Sequence, residues 1–206
     1  MRVKKRYIDT IEQIKAVLRA REPAVIEDGA SQYRQAAVLI PLFRDKGEFK
    51  ILFTKRTDKV DEHKGQISFP GGSVDEKDAS YKETALREAF EEVGLLREDV
   101  RILGKTDDSL TVASNFIIHP FVGFIPYPYP FEINSHEVKR LIEVPFSAFV
   151  DHRGATRKDV YEFEGVLYEG PVYDYQGDII WGASARIMEN FLEILGEKID
   201  LLASID

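Results

Sequence analysis

The chain has 206 residues, 44% of them hydrophobic and 31% charged, with no cysteine and a formal net charge of -8. That much apolar material builds a buried core of ordinary size, while the acidic balance argues against broad electrostatic capture of nucleic acid or anionic membrane, which rewards clustered Lys and Arg. The missing cysteines exclude disulfide staples, thiolate nucleophiles and Cys-based zinc or iron-sulfur sites.

The basic start "MRVKKRYIDT" is followed by alternating polar and apolar residues, so it lacks the hydrophobic run of a signal peptide. No apolar run reaches membrane-spanning length, and a cytoplasmic location is expected. The spacing of Ile11, Ile14, Val17 and Leu18, with Asp9 and Glu12 placed as a capping pair, predicts an amphipathic helical extension over about 7–21. "AAVLIPLF" and "EFKILFTKR" read as strands joined by a hairpin turn at "RDKG". The pieces "DVRILGKTD", "SLTVAS", "NFIIHPFVGFI", "EVKRLIEVP", "DVYEFEG", "VLYEGPVYDY" and "GDIIWG" read as further strands, and "SARIMENFLEIL" as a closing helix with Ile187, Phe191, Ile194 and Leu195 inward. In "PYPYPF" the alternating prolines forbid a central strand and favour an extended loop. Strands with helices before, within and after them predict an α/β fold, one domain over 1–206, its sheet covered on both faces.

Between these elements lies "FPGGSVDEKDASYKETALREAFEEVGL". Ser80 and Glu83 are spaced as a capping box and Gly94 stands where a helix ends in the left-handed conformation. At 100° per residue, Leu86, Ala89, Phe90 and Val93 form an apolar stripe, with Glu88, Glu91 and Glu92 opposite. An acidic helix face is ordinarily just solvated surface. Here, though, Pro70, Gly71 and Gly72 come just before it, and glycine lets a backbone approach a ligand closely. Arg87, four residues from both Glu83 and Glu91, can fix a carboxylate rotamer. Three carboxylates beside such a turn offer hard oxygens to a divalent cation.

In this order the segment resembles the box of the Nudix hydrolases, G-x5-E-x7-R-E-U-x-E-E-x-G-U. "REAFEEVGL" matches its second half with Ala89 as a small U; in the first half Gly72 to Arg87 is one residue longer, and the early acidic position falls on Asp78. Upstream, "LFTKRTDKVDEHKGQISFPGG" is similar to the segment before the box in the coenzyme A pyrophosphatase branch, through Leu52, Thr54, Arg56, Gly65, Phe69, Pro70, Gly71 and Gly72. Phe53, Thr57 and Asp61 depart from it, Asp61 standing where that pattern has a second Arg.

The resemblance implies a Nudix-type α/β/α sandwich with a mixed central sheet. It further implies hydrolysis of the diphosphate of coenzyme A or acyl-CoA to 3′,5′-ADP and (acyl-)4′-phosphopantetheine. Mg²⁺ or Mn²⁺ would be held by Glu88, Glu91, Glu92 and the Gly72 carbonyl, with Arg87 completing the catalytic set. Arg56, His63, Lys64, Gly71 and Gly72 are expected at the substrate, and Lys55 and Lys59 extend that basic cluster. The general base would be Glu92 or Glu137, the latter otherwise a strand-edge charge. Asp61 keeps ADP-ribose, NADH or another nucleoside diphosphate derivative open as substrate. From a different class, a non-catalytic Nudix-like binding module is the alternative. Family members often pair, so a homodimer is also left open.

Overall fold

The computed structural model describes residues 2–29, 32–57, 65–111, 114–150, 155–163 and 165–196. His63, Lys64, Lys59 and Asp61, singled out above, lie outside them. The chain opens with helix α1 (Arg2–Arg19) and then the hairpin β1 (Arg34–Asp45) and β2 (Glu48–Arg56), joined at Lys46-Gly47. Two short strands, β3 (Ile67–Ser68) and β4 (Gly71–Ser73), lead to α2 (Tyr81–Val93) and a 3-10 turn. Strands β5 (Arg101–Lys105), β6 (Ser109–Thr111), β7 (Phe116–Phe124) and β8 (Val138–Pro145) follow, then a short helix α3 (Phe146–Val150) that no periodicity announced. Strands β9 (Ala155–Phe163), β10 (Val166–Tyr175) and β11 (Asp178–Ile180) precede the last helix, α4 (Gly182–Leu195).

Strands β1 to β8 form one mixed sheet: β1 and β7 run parallel along nine residue pairs, and every other pairing is antiparallel. Alternation along β1 sends Ala37, Leu39 and Phe43 to one face, where they pack with Ala85, Leu86, Ala89 and Val93 of α2. Ile40 and Leu42 go to the other face and join Ile11, Ile14 and Leu18 of α1 and Ile187, Met188, Phe191 and Leu195 of α4. Helices therefore cover both faces, the expected α/β/α arrangement around a mixed sheet. Each such buried aliphatic or aromatic side chain contributes about 1.5–3 kcal/mol.

The feature that positions the site is a split in this sheet. Strands β1 and β2 pair only from Leu42 to Asp45 against Glu48 to Ile51. Beyond that they part: β2 takes β3 through Thr54–Ser68 and Lys55–Ile67, and β1 takes β4 through Val38–Gly71 and Ala37–Gly72. Phe69 and Pro70 bridge the gap, Phe69 stacked on Phe53 at 4.5 Å and the Pro70 carbonyl accepting from Leu39 N–H at 2.9 Å. On the far face, Asp178 of β11 accepts from Lys55 at 3.2 Å and from Arg140 at 2.6 Å, tying the three-stranded sheet β9–β11 to the main one.

Helix α2 begins where the capping signal placed it. Ser80 Oγ accepts from Glu83 N–H at 3.3 Å, and Gly94 closes the helix at φ 70° with its N–H on the Phe90 carbonyl at 2.8 Å. Two expectations for its faces need correction. Phe90, read into the apolar stripe, is half exposed, and Glu92, read onto the acidic face, is 3% exposed. Glu92 is covered where the segment after β7 folds over the last turn of α2, bonding Glu132 N–H to the Val93 carbonyl and Asn134 N–H to the Glu92 carbonyl, while Phe90 lies along an open outer flank of the helix. The prolines of "PYPYPF" make the predicted loop; Tyr127 stacks on Phe43 at 4.5 Å, and Tyr129 donates to Asp99 at 2.9 Å, so both rings pack rather than line a cleft. Replacing Gly94 by Ala forces a positive φ on a residue with a Cβ, 3.0 Å from the Glu132 backbone nitrogen. Unfolding in urea should show a loss of about 1–3 kcal/mol.

Candidate active site

Glycine at position 72 is dictated by contact. A methyl group there would lie 2.5 Å from the Glu88 carboxyl group, so the strand β4 backbone rests directly against that carboxylate. Glu88 is three residues from Glu91 and four from Glu92; Glu88 meets β4 and Glu92 is buried, while Glu91 is exposed and joins Glu88 through Arg87.

Arg87 organises the cluster. Its Nε and one terminal nitrogen donate to the two Asp78 oxygens, each at 2.9 Å. That same terminal nitrogen reaches the Ser73 carbonyl at 3.0 Å, and the other donates to Glu88 at 2.8 Å and Glu91 at 3.1 Å. Glu83, the other expected partner, instead pairs with Arg97 at 2.6 Å, outward from the site. Asp78 was named in the sequence without a role. The structure gives it one: bidentate to Arg87 and accepting from Thr84 Oγ1 at 2.8 Å, it has its carboxyl pulled far below the ordinary value, first by the Arg87 bonds. The Arg87 guanidinium is in turn held protonated, first by Asp78 and then by Glu88.

Glu92 sits deeper. Its Oε2 is buried without a hydrogen-bond donor, and Arg56 approaches the other oxygen only to 4.0 Å. Burial pushes its pKa up to about 8; Arg56 and a backbone hydrogen bond from Gly71 oppose the rise, and the charges of Glu88 and Glu137 add to it. Glu88 is also raised, first by burial, with Arg87 opposing and Glu91 and Glu137 reinforcing. Glu137 thus stands within electrostatic reach of both. Thr57, buried at the end of β2, brings it there: its N–H donates to the Glu137 carbonyl at 2.8 Å and its hydroxyl to the His136 carbonyl at 2.7 Å. Thr57 appeared in the sequence only as a departure from a motif, and nothing local marks a threonine that will clamp a segment eighty residues on.

Of the basic cluster, Arg56 faces Glu92, whereas Lys55 points to the opposite face and is bound to Asp178. His119 is buried in a separate polar network with Asp108 and Gln35, and Trp181 packs near Tyr161 and Tyr168. An open groove of about 800 Å³ runs along the outer flank of α2 past Lys77, Leu86, Phe90, Leu96 and Arg97. It shares Asp78 and Arg87 with the cluster but not Glu88, Glu91, Glu92 or Gly72.

Among the described residues, no three His, Cys, Asp or Glu side chains stand together as a metal cage, and Arg87 engages two of the glutamates. The donor set nonetheless fits a divalent cation. It consists of hard oxygens, one of them sealed and unpartnered, with two raised carboxyls whose ionised forms a cation would favour.

Comparison with known proteins bears on this arrangement. The model of the NUDIX domain matches residues 33–161. An uncharacterised Nudix hydrolase, NudL, from Yersinia pestis is 36% identical over 160 residues, covering 78% of this chain and 79% of that protein, and one from Yersinia pseudotuberculosis gives the same figures. A crystal structure of a MutT/nudix family protein from Enterococcus faecalis superposes with a TM-score of 0.52 at 15% identity, over 90% of this chain and 79% of that one. No helix among the described residues is long and apolar enough to cross a membrane.

The Asp78–Arg87 pair has a sign-definite pH signature. Asp78 keeps its charge in the fold below its ordinary value of 3.8 while the unfolded chain protonates. Its contribution is complete above that value and is lost as pH falls further. Denaturant titrations from pH 6 down to about 2.5 should show this slope, and Asp78→Asn should flatten it.

Proposed function

Because the chain belongs to the Nudix family of hydrolases, we propose that the cluster on α2 is its active site and that the substrate is the diphosphate of coenzyme A or an acyl-CoA. The observation that carries the site is the buried, donor-less Glu92 oxygen lying among further carboxylates beside Gly72. Such a constellation is costly unless a cation shares it.

Glu88, Glu91, Glu92 and the Gly72 carbonyl are the groups that would hold Mg²⁺ or Mn²⁺. When bound, the ion polarises phosphoryl oxygens and lowers the pKa of water. The chain's own residues do the rest. Arg87, locked by Asp78, keeps Glu88 and Glu91 in fixed rotamers. Arg56 supplies positive charge to a substrate phosphate on the Glu92 side. The water oxygen bonds to one phosphorus, the bridging P–O bond breaks, and the water's proton passes to Glu92 or to Glu137. The products are 3′,5′-ADP and (acyl-)4′-phosphopantetheine, and a cation held by these residues would offset the repulsion between an acidic protein and an anionic substrate.

Asp61 supports a second reading. An acidic residue in place of the motif's Arg removes an anion partner, and preference would then shift to ADP-ribose, NADH or another nucleoside diphosphate derivative. The complete set Arg87, Glu88, Glu91 and Glu92 argues against a module that only binds.

A panel of CoA, acetyl-CoA, ADP-ribose and NADH, incubated with Mg²⁺ in ¹⁸O water and read by mass spectrometry, separates these readings. CoA or acetyl-CoA should turn over fastest, the label naming the phosphorus attacked; faster ADP-ribose cleavage would select the second. Glu92→Gln should lower kcat about 10²–10⁴-fold if Glu92 takes the proton, and Glu137→Gln should do so if Glu137 does. Gly72→Ala, which displaces the Glu88 carboxylate, should cost about 100-fold. Turnover unchanged in Glu91→Gln and Glu92→Gln would remove the site from α2.

A further inference from the structure

The segment 74–80 carries Asp78; its near end is held by the backbone of β1, and its far end rests on one buried side chain. At the near end, Val74 N–H donates to the Gln35 carbonyl at 3.0 Å. The Gln35 side chain in turn meets His119 Nε2 at 2.9 Å, its amide nitrogen being spent on the Tyr33 carbonyl at 3.3 Å. At the far end, Tyr81, the first residue of α2, lies flat on the His119 ring with centroids 3.6 Å apart and planes 12° from parallel. His119 Nδ1 faces Asp108 at 2.8 Å, and Asp108 is fixed by Lys105 at 2.6 Å and by Ile26 N–H at 3.1 Å. His119 is 2% exposed and Tyr81 39%, so a rigid ring on the sheet supports a ring at the surface.

Each ring nitrogen faces a polar partner within 2.9 Å and one ring face is covered by Tyr81, so the imidazole is braced on three sides. Between the pinned ends, the segment closes on itself through Asp75 N–H to Asp78 and Lys77 N–H to Asp75, both at 2.9 Å. Asp78 then has one placement relative to α2, and with it Arg87 has one. We propose that His119, acting through Tyr81, is a positioning residue that sets the Asp78–Arg87 pair. This rests on the α2 cluster being the active site.

The test reads Arg87 directly as well as turnover. In ¹⁵N-labelled protein the Arg87 Nε–H resonance, assigned by its loss in Arg87→Lys, reports the bond to Asp78 through its exchange with water. Tyr81→Ala should speed that exchange and lower kcat about 10–100-fold with KM within about twofold, as a misplacement that spares binding predicts. Tyr81→Phe, which keeps the ring, should match wild type in both readouts, and His119→Leu should behave as Tyr81→Ala. If His119→Leu does not fold, Tyr81→Ala on the exposed ring decides alone. Arg87 Nε–H exchange unaltered in folded Tyr81→Ala would overturn the proposal. Should wild type cleave nothing in the panel, the functional reading fails, while the exchange comparison still decides whether His119 positions Arg87.

Discussion

A single guanidinium holds this site in register. Arg87 spreads its donors over Asp78, Glu88, Glu91 and the Ser73 carbonyl, so the loop before α2, the strand leading into that loop and the helix itself share one planar, permanently charged node. Three carboxylates so close on one helix turn would otherwise repel, and a planar fork can satisfy several oxygens at fixed angles where an ammonium could not. The node also separates the oxygens it binds from one it does not reach. Asp78 is fully engaged and held ionised, while Glu92, out of the guanidinium's reach, keeps an unpartnered oxygen.

The split between β1 and β2 gives that node something to face. A continuous sheet would bury every backbone group in its ladder. Here β1 and β2 each take a different short partner, and the bridge of Phe69 and Pro70 between those partners brings Gly72 of β4 against Glu88 of α2. Phe69 anchors the bridge in the core while Gly72 lets it touch Glu88. Apolar packing thus fixes a backbone segment whose remaining role is polar.

Much of this was legible in the sequence, for reasons that can be named. The hairpin, the cap at Ser80 and the end at Gly94 are local: their residues carry the conformational preference themselves. So is the spacing of Arg87, Glu88, Glu91 and Glu92, which a helix converts directly into proximity. The burial of Glu92 is not local. Helical phase places a residue on a face, but which face is covered depends on a segment forty residues further on that crosses the last turn of α2. The parts played by Thr57 and Asp78 were hidden for the same reason, since each bonds partners that only the folded chain brings near.

Lys55 and Arg56 are neighbours in β2, yet one is bound to Asp178 beneath the sheet and the other looks toward Glu92 above it. Because successive strand residues alternate sides, adding or deleting one amino acid within β2 would turn Lys55 away from Asp178, leaving Arg140 as its partner, and turn Arg56 away from Glu92 in the same event. Length in this strand is therefore locked by two independent demands of opposite parity. Evolutionary drift in chain length has to be absorbed where parity carries no meaning, in the connections that follow, and relatives are expected to vary there first.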